Sequence, residues 1–277
     1  MSLPGNFHTH TRFCDGADTA EDMVQQAIRL GFRHLGFSGH MDPDIHMDRP
    51  AYLREIRRLQ AAYADKIEIL CGIELDNIYD PREGEGAEYL IGSTHFLDVP
   101  PLDGEWMSVD STEANLRKLA ETYFGGDYYK LSAAYYDFEA KVYDRLHCTF
   151  AGHFDLVTRF NDSLHFLDEE NPAYYRPAMD AMEYLVSEGV PLEINCGAVN
   201  RGRKKQFYPN SRLLKALHDF GGEIIINTDA HQKEKLAAGM REAAQQAAAA
   251  GFTHTCILTK EGSGKVHFRQ IPLDLYF

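Results

Sequence analysis

The feature that most constrains the fold of this chain is a repeated alternation of short apolar segments with amphipathic ones. Residues 19–30 carry their apolar side chains on one helical face, with Asp18 or Thr19 as the cap and Gly31 as the stop. The next segment, FRHLGFSGHMD, is apolar enough to be a buried strand. Because strands that alternate with helices pair in parallel, the pattern predicts a parallel α/β fold.

The alternation continues along the rest of the sequence. Helices are predicted at residues 51–64, 211–220 and 237–250, and strands at five apolar runs: IEILCGIEL, YLIGSTHFL, TFAGHFDLV, PLEINCG and EIIINTDAH. An aromatic-rich insertion near residues 111–144 is predicted to form a pair of helices that packs on the sheet. No low-complexity linker divides the chain, so residues 1–277 are predicted to form a single domain.

Polar residues gather at the ends of the predicted strands. Active sites of parallel α/β barrels lie where strands end and the following loops begin. Six of the 13 histidines occupy such positions, which histidines scattered through a core would not do. We therefore expect one shared site that draws on these strand-end residues: His8, His10, His40, Glu74, His95, His153, Asn195, Asp229 and His231.

Three features of these residues favour metal binding. Side chains alternate between the faces of a strand, so His8 and His10 project to one side, roughly 7 Å apart, and can bind one ion. Asp229 and His231 repeat this spacing in NTDAH. Glu74 ends an apolar run, where an unpaired carboxylate is costly unless it meets a cation. A carboxylate that bridges two metals would satisfy that requirement.

The candidate ligands are too many for one ion and suit three. With Asp15 added and Asn195 left out, they number nine: His8, His10, Asp15, His40, Glu74, His95, His153, Asp229 and His231. Imidazoles and carboxylates without cysteine suit Zn²⁺, Mn²⁺ or Fe²⁺, and the ligand types do not separate these metals. The sequence therefore predicts three divalent transition-metal ions.

Charge and composition exclude several other classes. The formal net charge is −14 and the only basic run is short, so long nucleic acid is not an expected partner, and residues 203–205 are expected to form a solvated loop. No secretion signal opens the sequence and no 18 apolar residues run together, which predicts a cytoplasmic protein without a membrane partner. The five cysteines lack a C-x-x-C pattern and are expected to be reduced. No oligomeric state is predicted.

Six motifs in order resemble the polymerase and histidinol phosphatase (PHP) family: HTHTRFCDG, GFSGH, GIELD, GSTHF, AGHFDL and NTDAH. The likeness runs along nearly the whole chain and, within the family, is greatest to the monofunctional histidinol-phosphate phosphatases of histidine biosynthesis. It implies a distorted (β/α)7 barrel, a trinuclear metal site and a small phosphorylated substrate.

The resemblance also implies how the ligands divide among three metals: the first with His8, His10, Glu74 and Asp229, the second with Glu74, His95 and His153, and the third with Asp15, His40 and His231. Some relatives carry histidine where this chain has Asp15. The affinity and the metal preference of the third site therefore do not follow from the resemblance.

Two arginines extend the expected chemistry from metal to phosphate. Arg159 and Arg201 each follow a predicted strand end, where a guanidinium can form paired hydrogen bonds to phosphate, and the resemblance points to the same positions. The expected reaction is hydrolysis of L-histidinol phosphate by attack of a metal-bound hydroxide on phosphorus. The leaving group could take its proton from a metal-bound water, from Asp229 or from His231.

Three other functions stay open at this stage. A PHP phosphoesterase could act on nucleotides or on short oligonucleotide ends. A metal-dependent amidohydrolase would use a related barrel, but none of the strand ends carries the lysine that such enzymes usually carbamylate. A metal-binding module without catalytic activity would not need two arginines beside the metals.

Further predictions concern loop acids, one tryptophan and the other histidines. The loop acids Asp42, Asp98 and Asp110 are candidates for contacting the substrate, and Trp106 lies in a loop that could cover it. Seven histidines are predicted to be non-ligands: His34, His46, His147, His165, His218, His254 and His267.

Overall fold

A computed structural model describes residues 3–45 and 47–277 of the chain. Within them, one nine-stranded sheet follows the order of the chain. Its strands are β1 (Leu3–Asn6), β2 (Phe32–Met41), β3 (Glu68–Asp76), β4 (Tyr89–Ser93), β5 (Phe150–Ala151), β6 (Leu192–Asn195), β7 (Ile224–Asn227), β8 (His254–Thr259) and β9 (His267–Pro272). Neighbours from β1 to β8 pair in parallel, and β9 runs antiparallel to β8.

Helices connect the strands. In the described residues they are α1 (Ala20–Leu30), α2 (Arg49–Ala62), α3 (Glu113–Phe124), α4 (Tyr128–Glu139), α5 (Val142–Leu146), α6 (Asn161–Leu164), α7 (Pro172–Ser187), α8 (Gly197–Asn200), α9 (Ser211–Asp219) and α10 (Met240–Ala250). Short 3₁₀ turns cover Pro81–Gly84, Leu156–Thr158, Lys233–Lys235 and Leu273–Tyr276. No helix in the described part of the chain is both long and apolar enough to span a bilayer.

The first seven strands close into a barrel. Beyond β1, Thr9 pairs in parallel with Ala230, which follows β7, and the His10 N–H donates to the Ala230 carbonyl at 2.9 Å. The Phe7 N–H donates to the Asn227 side chain at 2.7 Å. This seam confirms the distorted (β/α)7 barrel expected from the sequence. Helices cover the outer face of the sheet, so residues such as Leu35 and Ile73 are fully buried, as continuous apolar strands require.

Local signals place the first helix as predicted. The Thr19 hydroxyl accepts from the Asp22 N–H at 3.1 Å, and the Asp22 carboxylate accepts from the Thr19 N–H at 3.3 Å. This capping box begins α1, and Gly31, with φ of +79°, ends it. The predicted helices at 51–64, 211–220 and 237–250 correspond to α2, α9 and α10, with ends displaced by up to three residues.

The sequence did not predict helices α6, α7 and α8 or strands β8 and β9. Helix α7 buries Tyr174, Ala178, Ala181, Met182 and Leu185 at helical spacing, but two prolines within it obscure the pattern. Strands β8 and β9 form a hairpin that extends the sheet past β7. The segment predicted as a helical insertion contains α3, α4 and α5.

Candidate metal centre

The nine predicted ligands meet at the carboxyl-terminal ends of the barrel strands. His40 is the penultimate residue of β2 and pairs in register with Glu74 of β3. The other seven follow β1, β4, β5 or β7 within the next few residues, apart from Asp15, which lies in the loop between β1 and α1. Parallel pairing in chain order therefore brings together residues that lie far apart in the sequence.

Glu74 lies at the centre of this cluster, and its two carboxylate oxygens face different histidines. Its Oε2 lies 3.0 Å from His8 Nε2, 3.4 Å from His10 Nε2 and 3.1 Å from His40 Nδ1. Its Oε1 lies 2.9 Å from His153 Nε2 and 3.6 Å from His95 Nε2. This arrangement suits a carboxylate that bridges two cations.

His8, His10 and Asp229 form one compact ligand group, in which the ligand atoms all lie within 4.8 Å of one another. Asp229 Oδ1 is 3.2 Å from His10 Nε2 and 3.8 Å from His8 Nε2. Asp229 adopts φ of +50°, which is uncommon for a residue other than glycine. This group corresponds to the first predicted set, with Glu74 alongside.

A second compact group contains Asp15, His40 and His231, the third predicted set, and also His10. His231 Nε2 lies 2.9 Å from Asp15 Oδ2, and His40 Nε2 lies 3.8 Å from Asp15 Oδ1. His10 Nδ1 is 3.8 Å from the same carboxylate. The two nitrogens of the His10 ring therefore join this group to the one around Asp229.

The set of Glu74, His95 and His153 is only partly assembled. Both histidines approach Glu74 Oε1, and their ring centroids are 4.9 Å apart. The compact groups nevertheless divide them, with His153 beside His8 and Glu74, and His95 beside His40 and Glu74.

Burial and neighbouring charges shift the pKa values of the clustered side chains. Burial alone would raise the pKa of Glu74, but His40, His8 and hydrogen bonds from His153 and His8 hold it well below its ordinary value. Burial opposes a charged His8, yet Glu193, Glu74 and Asp229 raise its pKa well above the ordinary value. Burial, with His231 and His40 next to it, lowers the pKa of His10 to about 3, so this imidazole is neutral and free to ligate.

The residues fit divalent cations. Three buried imidazole nitrogens, His10 Nε2, His40 Nδ1 and His153 Nδ1, have no hydrogen-bond partner in the described residues. His10 Nε2 faces two carboxylates at 3.2 and 3.4 Å, where a cation would satisfy all three groups. Imidazole and carboxylate donors suit borderline divalent transition metals.

Glu193, which the sequence analysis missed, accepts hydrogen bonds from two members of the cluster. It is fully buried, and its Oε1 accepts from His8 Nδ1 at 2.7 Å. Its Oε2 accepts from the His153 N–H at 2.9 Å. Because Nδ1 of His8 donates to Glu193, Nε2 is left to face the site. The signal was present in PLEINCG, where a carboxylate interrupts an apolar strand as Glu74 does in GIELD.

Asp76 and Ser93 were also missed and support other ligands. Asp76 Oδ2 accepts from the His95 N–H at 2.8 Å and lies 3.2 Å from His95 Nδ1. The Ser93 hydroxyl donates to Glu74 Oε1 at 2.8 Å. Asn195, predicted at the site, contacts Glu193 rather than the cluster itself, through Nδ2 at 2.9 Å.

Arg159 and Arg201 line the same cavity as the ligand cluster, a space of about 290 Å³. Arg201 donates to Asp229 Oδ2 at 2.9 Å, and Arg159 donates to Asp110 Oδ2 at 2.8 Å. Nε of each guanidinium is buried without a partner in the described chain. Asp42 and Asp110 of the predicted loop acids line the cavity, together with Asp44, whereas Asp98 and Trp106 are not in its lining.

The basic run at residues 203–205 differs from the solvated loop that was predicted. Lys204 is buried, because its ammonium donates to the Thr158 hydroxyl and lies over the Tyr208 ring. Arg203 is exposed but reaches the cavity wall. Of the predicted non-ligand histidines, His46 lies outside the described residues. The other six, all described, belong to none of the compact ligand groups.

Comparison with known proteins identifies the family to which the chain is similar. The PHP domain family model matches residues 6–197. A probable histidinol-phosphatase of Schizosaccharomyces pombe is 26% identical over 294 residues, which cover 95% of this chain and 93% of that protein. A histidinol-phosphatase of Lactococcus lactis is 27% identical over 246 residues, which cover 82% of this chain and 83% of that protein.

The fold is shared with a crystal structure of histidinol phosphate phosphatase from Lactococcus lactis, complexed with zinc, L-histidinol and phosphate. The TM-score is 0.71 at 24% identity, over 96% of this chain and 100% of that one.

Proposed function

Because the chain belongs to the PHP domain family, we propose that it is a metal-dependent phosphatase that hydrolyses L-histidinol phosphate to L-histidinol and phosphate in histidine biosynthesis. The observation that carries this proposal is a single cavity that joins the ligand cluster to two arginines. Clustered cations beside guanidinium groups are suited to a phosphate monoester, which carries two negative charges.

We assign the nine predicted ligands to three divalent cations, with Glu74 as the bridging ligand. The zinc in the Lactococcus structure makes zinc one candidate, alongside manganese and iron. When bound, such cations lower the pKa of a water molecule for attack on phosphorus and neutralise phosphate oxygens.

The two arginines would hold the phosphate in line for this attack. Arg201 already contacts Asp229 and lies 3.2 Å from His231 Nδ1, so it reaches the phosphate from the side of the cluster. Arg159 donates to Asp110 in the lining of the same cavity. Each guanidinium keeps further N–H groups for phosphate oxygens, and the rigid fork makes paired bonds possible. The leaving-group proton would come from His231 in the cavity lining or from a water molecule. Asp229 is less suited to this role, because its burial is outweighed by Arg201 and other charges, which hold its pKa well below the ordinary value.

The rest of the cavity suits a substrate with a cationic end. Asp42, Asp44 and Asp110 line it, and burial raises the pKa of Asp42 and of Asp44, the latter also through the charge of Asp110. Carboxylates that repel one another would be stabilised by the amino group of histidinol. An acidic wall would repel substrates that carry a second phosphate or a carboxylate group.

We expect the protein to act in the cytoplasm, since all five cysteines are free thiols. The test of function is a hydrolysis panel on metal-loaded protein. It compares L-histidinol phosphate with mononucleotides, a short 5′-phosphorylated oligonucleotide and p-nitrophenyl phosphate. The proposal requires kcat/KM to be highest for L-histidinol phosphate, whereas a preference for a nucleotide would replace it with the nucleotide phosphoesterase alternative.

A further inference from the structure

Tyr208 is a cavity residue that neither the ligand set nor the arginine pair includes. Its side chain lines the wall together with Arg159 and Arg201. The residue is only 1% exposed, and its hydroxyl has no hydrogen-bond partner in the described residues. A buried hydroxyl without a partner costs free energy, so its retention calls for a role.

The position of the hydroxyl is fixed by the rest of the residue. The Tyr208 backbone exchanges two hydrogen bonds with Asn195 at the end of β6, at 2.8 and 3.2 Å. Its ring stands edge-on to His153 at 6.5 Å between centroids, and the Lys204 ammonium lies 5.1 Å from the ring centre. These contacts hold the ring beside the ligand cluster before any substrate arrives.

The electrostatics show that the missing partner of the Tyr208 hydroxyl is a hydrogen-bond acceptor. Burial raises the pKa of Tyr208 well above its ordinary value, so the hydroxyl keeps its proton. The charges that act on it come from Arg159, Asp155, Asp110 and Arg201. A neutral O–H beside two guanidinium groups is a donor that matches the oxygen of an anion.

We propose that Tyr208 is a phosphate-binding residue, whose hydroxyl donates a hydrogen bond to a phosphate oxygen in the clamp formed with Arg159 and Arg201. This inference rests on the proposed phosphatase function and adds a third donor to its phosphate site. A hydrogen bond from a buried hydroxyl to a charged acceptor is lost when the hydroxyl is removed, which weakens phosphate binding roughly tenfold or more.

A purely structural role makes a different prediction. Asp155 Oδ1 is also buried without a partner, and Asp155 acts on the Tyr208 hydroxyl. If the hydroxyl served only to satisfy Asp155, its removal would lower the melting temperature and leave phosphate affinity unchanged.

The test compares Tyr208→Phe with Tyr135→Phe. Tyr135 is equally buried, but its hydroxyl donates to the Phe154 carbonyl at 3.2 Å and it does not line the cavity. Binding of inorganic phosphate is measured by calorimetry on metal-loaded protein, with metal content, melting temperature, and hydrolysis of L-histidinol phosphate and p-nitrophenyl phosphate.

For Tyr208→Phe we expect phosphate affinity and kcat/KM for both esters to fall roughly tenfold or more, with metal content and melting temperature unchanged. Tyr135→Phe should melt earlier and bind phosphate normally. Wild-type phosphate affinity in Tyr208→Phe, or failure of that variant to fold, would overturn the proposal. If neither ester is hydrolysed by the wild type but Tyr208→Phe still binds phosphate more weakly, the proposed function fails and the phosphate-binding role stands.

Discussion

Replacement of Glu193 by glutamine should loosen the metal cluster although Glu193 itself is not a ligand. Each of its oxygens accepts two hydrogen bonds: Oε1 from His8 Nδ1 and Asn227 Nδ2, and Oε2 from the His153 N–H and Asn195 Nδ2. Whichever way a glutamine amide is turned, its amino group faces two donors. The two donors then lose their acceptor inside the protein.

The size of the effect follows from these bonds. An unsatisfied buried donor costs about 1–3 kcal/mol, so the free energy of unfolding should fall by about 2–6 kcal/mol. His8 can recover a bond by accepting at Nδ1, but its proton then moves to Nε2, which faces Glu74. Since a protonated nitrogen cannot ligate, we expect metal affinity to fall roughly 10- to 100-fold, or about 1.4–2.8 kcal/mol.

The assay is a metal titration against a competing chelator, combined with urea unfolding in the presence and absence of metal. Glu139→Gln is the matched control, because Glu139 is equally buried but accepts no hydrogen bond from any of the predicted metal ligands. It should keep wild-type metal affinity. A glutamine amide can still turn its oxygen toward His8, so Glu193→Ala is measured as well. Wild-type metal affinity in both variants would refute the argument that Glu193 sets the tautomer of His8.

Three further outcomes are expected. Arg159→Ala should lower kcat/KM for L-histidinol phosphate roughly 100-fold, about 3 kcal/mol, at unchanged metal content. Arg159→Lys should recover only part of this loss. Near-wild-type kinetics in the alanine variant would contradict the assignment of Arg159 to phosphate binding. The Asp15→Ala protein should lose one metal before the others on dialysis, because Asp15 belongs to one ligand group alone. Elemental analysis that shows loss of all metals together, or of none, would contradict a separable site. Burial raises the pKa of Glu139 to about 8 from 4.5, so between these pH values the folded protein holds a proton that the unfolded chain releases. The free energy of unfolding should therefore fall as pH rises through this range, by up to ~1.4 kcal/mol per pH unit. Glu139→Gln should remove that slope, and equal slopes in urea unfolding from pH 5 to 8 would exclude a protonated Glu139.

The ligands were accessible to sequence reasoning because their placement is local. His40 and Glu74 each end a recognisable apolar run, and a parallel sheet in chain order brings such ends together without any knowledge of packing. The division of His95 and His153 was less accessible, since it depends on how far each loop carries its ring past the strand.

The supporting residues depended on tertiary contacts. Glu193 contacts a histidine 185 positions away, and no local pattern names that partner. Lys204 looked like part of a solvated basic run, but it is buried because Thr158 and Tyr208 receive its ammonium. Helix α7 was hidden by its prolines, although its buried face follows the helical repeat.

The seam that closes the barrel also bears on how the chain folds. It joins segments from opposite ends of the sequence, as in the 2.6 Å bond from Asn6 Nδ2 to the Thr228 hydroxyl, 222 positions away. Contacts of such long range incur a large loop-closure entropy and slow the folding of a chain. His10 and Asp229 lie on opposite sides of this seam, so a cation bound between them would fasten the two edges. The ions proposed for catalysis would then also set how often the barrel opens, and with it the lifetime of the protein against proteolysis.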